Sequence, residues 1–443
     1  MSAAKRTTKK KTKASTKKTK TTTKAKTKAK AKTKAKAKTK AKSKTKAKTK
    51  AKSASKKKVT RSKASKAKKA GLTALTPKAL QGMKDPSVAL LSRLTEAHGA
   101  PGHEGGVRDI VRAELGSNFQ SDRLGSLVYE QTGIAGGPRV MITGHMDEVG
   151  FMIHSITPEG LLRFAPLGGW WGHSLMAHRV RILTLSGNEI LGVITSKPPH
   201  FLSPDERKKV LSLDKMYIDV GATSAEQVTQ EFGINQGDTV VPDSNFTPMH
   251  NPDFLLCKAF DNRVGVGLTI QATQMLAKLG HPNTILATAT VQEEVGTRGA
   301  KTAAAVAKPD VALVMEGTPG DDLPGGPKDE RQAVLGSGVQ VRLMDPTAIA
   351  HRRLIQVVRE ASEAENIPVQ WAVRRSGGTD AKVIHLHDAG IPTVVFGVPA
   401  RYIHTHNSII NINDYLTALH LTVAVAQRLD QKTVDSMVDY SQG

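Results

Sequence analysis

The chain holds a single cysteine, Cys257, so no intramolecular disulfide framework can form and a reducing compartment is expected. Aromatic residues make up only 4% of the sequence, and no apolar run approaches the length that spans a bilayer. Residues 1–70 contain no Asp or Glu. The N-terminus is positive but has no apolar stretch behind it, which excludes a secretory signal. It is Lys-rich, where a mitochondrial presequence favours Arg in an amphipathic pattern. These absences leave a cytoplasmic protein with no membrane segment as the expectation.

The formal net charge of +26 describes one end of the chain. Residues 1–70 carry 30 lysines and 2 arginines, so the remaining 373 residues, with 33 basic and 39 acidic groups, are mildly acidic. The basic segment repeats Ala-Lys and Thr-Lys dipeptides, as in Thr27-Lys28-Ala29-Lys30, and no Phe, Tyr, Trp, Leu or Ile precedes Leu72. Such a composition cannot bury enough apolar area to offset the entropy of ordering, so residues 1–70 are expected to be a disordered tail. Lysine lacks the bidentate fork of arginine, and no aromatic ring is present to stack on bases. Contact with nucleic acid or another polyanion would therefore be sequence-blind and salt-dependent. The plainer reading is a solvated tail that only adds charge.

The rest has the pattern of an α/β protein. Val88, Leu90, Leu91 and Leu94 recur at helical spacing within Ser87–Ala97, as do Val107, Ile110, Val111 and Leu115. Apolar runs at Arg139–Thr143, Thr284–Val291, Val311–Met315 and Thr393–Phe396 read as strands. Helical stretches are expected at Val264–Leu279, Thr347–Ala364 and Tyr415–Leu429. This alternation predicts a mostly parallel sheet with helices on both faces. Residues 155–248 differ, with a hairpin signal where Ser186-Gly187-Asn188 separates Val180–Leu185 from Glu189–Thr195. The expected organisation is an α/β catalytic domain in two pieces, 76–154 and 249–432, an inserted small β-barrel at 155–248, and a C-terminal tail at 433–443.

Four of these strands run into residues that bind cations. They are followed respectively by His145 and Asp147, by Glu293 and Glu294, by Glu316, and by His404 and His406. Asp261 opens the helix after the inserted domain. In open α/β sheets the ligand crevice lies beyond the carboxyl ends of the strands. Taken singly, Asp261 would cap a helix, Glu293-Glu294 would be a solvated pair, and either histidine would be structural. As a set they suit Zn²⁺, Co²⁺ or Mn²⁺, because adjacent carboxylates repel one another unless a cation joins them.

The motifs Gly144-His145-Met146-Asp147-Glu148-Val149-Gly150, Ala259-Phe260-Asp261-Asn262-Arg263, Gln292-Glu293-Glu294-Val295-Gly296 and Arg401-Tyr402-Ile403-His404-Thr405 resemble those of the tetrahedral aminopeptidases. That family includes glutamyl, lysyl and deblocking aminopeptidases and relatives labelled endoglucanase. Asp219-Val220-Gly221-Ala222 and Gly378-Thr379-Asp380-Ala381 extend the likeness, which covers about residues 78–430. The resemblance implies two divalent metal ions, one held by His145, Asp261 and Glu316 and the other by Glu294, His404 and the same Asp261. It favours His404 over His406. Glu316 stands where relatives often carry Asp, and Asn262 where many carry a second Asp. Glu293 would then be the general base that takes a proton from the attacking water, and Asp147 would orient His145. The implied substrates are peptides with free N-termini, and the implied assembly is a dimer built through the inserted barrel and then a dodecamer. Two rival readings are a two-metal carboxypeptidase or N-acyl amino acid deacylase, and a DNA-compacting protein with an inert body. A glycosidase would need an aromatic-lined groove that 4% aromatics do not supply.

Overall fold

A computed structural model describes residues 72–441 of the chain; the basic segment 1–70 and its expected polyanion contacts lie outside them. Five strands form the middle of the larger sheet: β1 (Leu127–Thr132), β2 (Arg139–His145), β3 (Thr284–Thr290), β4 (Val311–Pro319) and β5 (Thr393–Arg401). They lie in the order β1-β3-β2-β4-β5. β3, β2, β4 and β5 are parallel neighbours, while β1 runs antiparallel to β3. Every residue of β3 is buried, which is why it reads as a near-continuous run of Ala, Ile, Leu and Thr.

The expected α/β sheet is therefore present, its parallel pairs lying in this middle and in a flanking pair, Val339–Asp345 with Val369–Val373. Beyond β5 the strands Ser408–Asn411 and Phe254–Cys257 add antiparallel pairs, giving a mixed sheet of 12 strands. A short return such as the loop from β5 to Ser408–Asn411 can only join antiparallel neighbours; a parallel pair needs a long crossover.

Alternate residues of the middle strands feed two cores. Val140, Ile142, Ile285 and Leu313 face helices Phe260–Leu279 and Ile412–Ala426. Met141, Leu286, Ala312 and Val314 face Arg298–Ala307. Helix Phe260–Leu279 lies against the sheet through two glycines. A Cβ on Gly144 would come within 2.4 Å of the Gly265 carbonyl carbon, and one on Gly265 within 2.6 Å of the Met315 oxygen. Larger residues there would push the helix, and Asp261 at its start, away from β2 and β4.

The inserted domain is a closed barrel of six strands, the first Gly150–Ile156 and the last Thr239–Pro242. The hairpin expected from Ser186-Gly187-Asn188 pairs Arg179–Leu183 with Glu189–Thr195. Phe151, Leu162, Val180, Ile182, Ile194 and Ile218 fill the interior.

Two local expectations are corrected. The helix read over Thr347–Ala364 begins only at Arg352. Asp345 accepts hydrogen bonds from the Thr347 and Ala348 amides, and this turn pairs Ala348–Ile349 back onto Val339–Asp345. Residues 433–443, read as a tail, begin within a helix, Gln431–Val438, because Val434 and Met437 bury on the main core. Among the described residues no helix is long and apolar enough to cross a membrane.

Candidate dinuclear metal centre

The parallel register brings the ligand residues to one edge of the sheet. His145 ends β2 opposite Thr290, the last residue of β3, so the segment that follows β3 starts beside the imidazole. Glu316 lies within β4 opposite Gly397, and the chain leaving β5 turns back to carry His404. Asp261 departs from helical geometry (φ −82°, ψ 103°), and its peptide bond to Asn262 is cis. Asn262 ties this start to β4 by donating to the Met315 carbonyl at 2.8 Å, a bond an ionised Asp could not make.

Two groups of donors result. His145 Nε2 is 3.3 Å from Asp261 Oδ1 and 3.5 Å from Glu316 Oε1. His404 Nε2 is 3.4 Å from Asp261 Oδ2 and 3.3 Å from Glu294 Oε2. The two oxygens of Asp261 thus belong to different groups, and in each group one atom from every residue lies within 4.8 Å of the others. Donors held about 2.1 Å from a tetrahedral ion stand roughly 3.4 Å apart, so these separations fit a cation in each group.

The imidazoles fit the same reading. Nδ1 of His145 is 3.0 Å from the Asp147 carbonyl oxygen, and Nδ1 of His404 is 2.9 Å from that of Gly169. Each ring donates from Nδ1 and turns the Nε2 lone pair toward the carboxylates, the tautomer of a metal-ligating histidine.

Charge gives a third argument. Burial drives the Glu316 carboxyl up to about 8 and raises that of Glu294. Burial opposes protonation of His404, but its bonds to Asp261 and Glu294 prevail and push it up to about 11. Burial likewise opposes the charge of His145 and of Asp261, but Asp147, Asp261 and Glu316 hold the His145 imidazole well above its usual range, and His145 and His404 hold the Asp261 carboxyl well below its own. The pocket therefore collects positive charge, as protons or as divalent ions.

Glu293 lies beside both groups without joining either, its Oε2 3.9 Å from His145 Nε2. Burial, joined by the charges of Asp380, Glu294 and Glu316, raises its carboxyl well above the ordinary range despite the opposing effect of His145. The Asp147 carboxylate is 3.5 Å from His145 Nδ1, but its hydrogen bonds go elsewhere. Oδ1 accepts from the Glu293 amide at 2.9 Å and Oδ2 from the Glu294 amide at 3.0 Å. It is the Asp147 main chain that meets the imidazole. His406, the sequence rival of His404, lies apart from the cluster, stacked on His178 with ring centroids 4.3 Å apart.

A cavity of about 350 Å³ opens from the centre. Arg342, Arg374 and Lys382 contribute to its lining, and none of them stood out in the sequence, because each comes from a different segment with no shared motif. Arg342 pairs with Asp345 and Arg374 with Asp321, both at 3.0 Å. Lys382 joins no ion pair among the described residues, and Arg342 Nε is buried without a partner. Glu104, which escaped notice for the same reason, is buried against Gln292.

Residues 125–421 match the family described as M42 glutamyl aminopeptidase. The chain is 34% identical over 352 residues to the glutamyl aminopeptidase of Lactococcus lactis subsp. cremoris (strain MG1363), covering 78% of this chain and 98% of that one. Among solved structures, the TET aminopeptidase from the marine sediment archaeon Thaumarchaeota archaeon SCGC AB-539-E09 is 40% identical with a TM-score of 0.76. It covers 80% of this chain and 99% of its own. The TET1 peptidase of Pyrococcus horikoshii, which assembles into a tetrahedron or a large octahedral shell, is 30% identical with a TM-score of 0.69. There the coverage is 77% of this chain and 100% of that one.

Proposed function

The chain belongs to the M42 glutamyl aminopeptidase family and is a metal-dependent aminopeptidase, and from that premise we propose that it removes N-terminal residues with two divalent ions and Glu293 as general base. The observation that carries the reading is the position of Asp261, whose two oxygens each face a different imidazole. His145, Asp261 and Glu316 would hold one ion, and Asp261, Glu294 and His404 the other. The nitrogen and oxygen donors suit Zn²⁺, Co²⁺ or Mn²⁺. The rival readings, a carboxypeptidase or deacylase and a DNA-compacting protein with an inert body, give way to the family assignment.

When bound, such a pair lowers the pKa of water from about 15.7 to near 7 and polarises the scissile carbonyl. Glu293 takes the proton of the attacking water and delivers it to the leaving amine. Asp147 fixes the base and the neighbouring ligand together, through the amides of Glu293 and Glu294, while its carbonyl sets the tautomer of His145. The cationic side of the cavity, Arg342, Arg374 and Lys382, favours a first residue with a carboxylate side chain.

On the barrel, Trp171, Leu185 and Phe201 are each more than two-thirds exposed, which supports burial against other copies in an assembly like that of the Pyrococcus relative. Residues 1–70 are proposed, on charge alone, to hold the enzyme on polyanions; retention of the full chain on DNA that does not fall with rising salt would contradict this.

Glu293→Gln tests the assignment of the base. Metal content should stay near normal while turnover drops by about 10²-fold or more. Full turnover in that variant would remove Glu293 from the role.

A further inference from the structure

Glu104 comes from none of the ligand strands, yet its carboxylate is fully buried beside the segment that carries Glu293 and Glu294. It immediately precedes helix Gly105–Leu115 without capping it. Instead Oε1 accepts from the Gly102 amide at 2.7 Å and from the Gln292 amide at 3.2 Å. Asp147 takes the next two amides, those of Glu293 and Glu294. Three consecutive N–H groups thus end on two buried carboxylates supplied by distant parts of the chain.

The segment needs such holding. Gln292 has φ +56°, a left-handed conformation uncommon for a residue other than glycine. From it the backbone turns so that Glu293 faces His145 while Glu294 faces His404. The placement of Glu104 is also costly for a simple loop tie. Its Oε2 is buried with no hydrogen-bond partner, and the guanidinium of Arg108 stands 3.8 Å away. Burial first, and then the charge of Asp147, raise the Glu104 carboxyl to about 7.

We propose that Glu104 is a positioning residue for proton transfer: by holding the Gln292 amide it fixes the turn that aims Glu293 at the reacting water. Asp147 holds the amides of both glutamates, but the Glu294 side chain would be fixed again by its ion, while Glu293, which belongs to neither donor group, is aimed by its main chain alone; loosening Gln292 therefore displaces the base and spares the metal. The inference rests on Glu293 being the general base, and the experiment separates the two claims.

The metal-loaded enzyme is compared as Glu104→Ala, Glu104→Gln, Glu293→Gln and Glu104→Ala/Glu293→Gln, reading kcat, KM and metal content. Glu104→Ala should lower kcat by about ten- to a hundredfold, with KM and metal content close to the parent. Glu104→Gln, whose amide oxygen still accepts both N–H groups, should restore most of kcat. In the Glu293→Gln background the loss of Glu104 should cost nothing further, since the base it aims is gone. Should Glu104→Ala fail to fold, Glu104→Asp, one methylene short of the Gln292 amide, carries the same expectations. Unchanged kcat in Glu104→Ala, a loss carried by KM or metal content, no recovery in Glu104→Gln, or losses that multiply in the double variant would each overturn the proposal. Full activity of Glu293→Gln alone would instead overturn the assignment of the base.

Discussion

Lys258 Nζ lies 2.6 and 2.7 Å from the two carboxylate oxygens of Glu148, and both side chains are sealed from solvent. Arg263 Nη2 reaches the same carboxylate at 3.0 Å. Glu148 directly follows Asp147, and Lys258 and Arg263 flank Asp261 in sequence. The network therefore locks the His145–Asp147 segment to the segment that presents the shared ligand. Burial pulls Lys258 down to about 8, against the attraction of Glu148.

Removing the anion leaves two buried cations facing each other. Glu148→Gln should destabilise the fold by about 3–5 kcal/mol, the usual penalty for stranding a buried charge. A urea midpoint equal to the parent's would show that water or another group satisfies Lys258 and Arg263.

Asp261→Ala should deplete both ions together, because each group of donors loses an oxygen. The affinity loss should be at least about 10²-fold, since even residues that only support metal ligands cost 10–100-fold. Elemental analysis after dialysis reads it directly. One ion retained at full occupancy would mean that Asp261 does not bridge.

Charge reversal at Lys382 tests the cationic side of the cavity. Lys382→Glu should lower kcat/KM for glutamyl and aspartyl anilides about ten- to a hundredfold relative to leucyl anilide. These substrates carry no terminal carboxylate, so an effect reports on the side chain of the first residue. An unchanged ratio would place that side chain elsewhere.

Arg401 and Asp322 join the loop leading to His404 to the loop that follows Glu316, with bonds of 2.8 and 2.6 Å. The hydrogen bonds from Arg401 hold the Asp322 carboxyl below its ordinary value. A carboxyl depressed by folding stabilises the protein above its unfolded pKa of about 4, and that contribution is lost as pH falls through the folded value. Arg401→Gln should therefore lower Tm at pH 7, and the gap should close as both metal-free proteins are taken toward pH 3. A gap independent of pH would assign the effect to packing of the arginine stem.

Much of the candidate site was legible along the chain because most of its donor residues stand at or just beyond strand ends, where local pattern marks the position. A buried strand such as β3 announces itself as an apolar run, and Glu293-Glu294 stands out because charge follows it at once. Asp261 was visible only through its motif, since its local signal is that of a helix cap. Glu104 and Lys382 left no such trace. Neither lies at a strand end, and each gains its surroundings from segments far away in sequence.

The sequence by itself determined the alternation of strands and helices, the inserted barrel and which residues are candidate donors, because burial periodicity and donor chemistry are local properties. Tertiary structure alone decided which oxygen of Asp261 faces which imidazole, that Asp147 grips the amides of the Glu293 segment, and that three cations line the cavity. Those relations depend on register and on side-chain direction, which are fixed only when separate segments pack together.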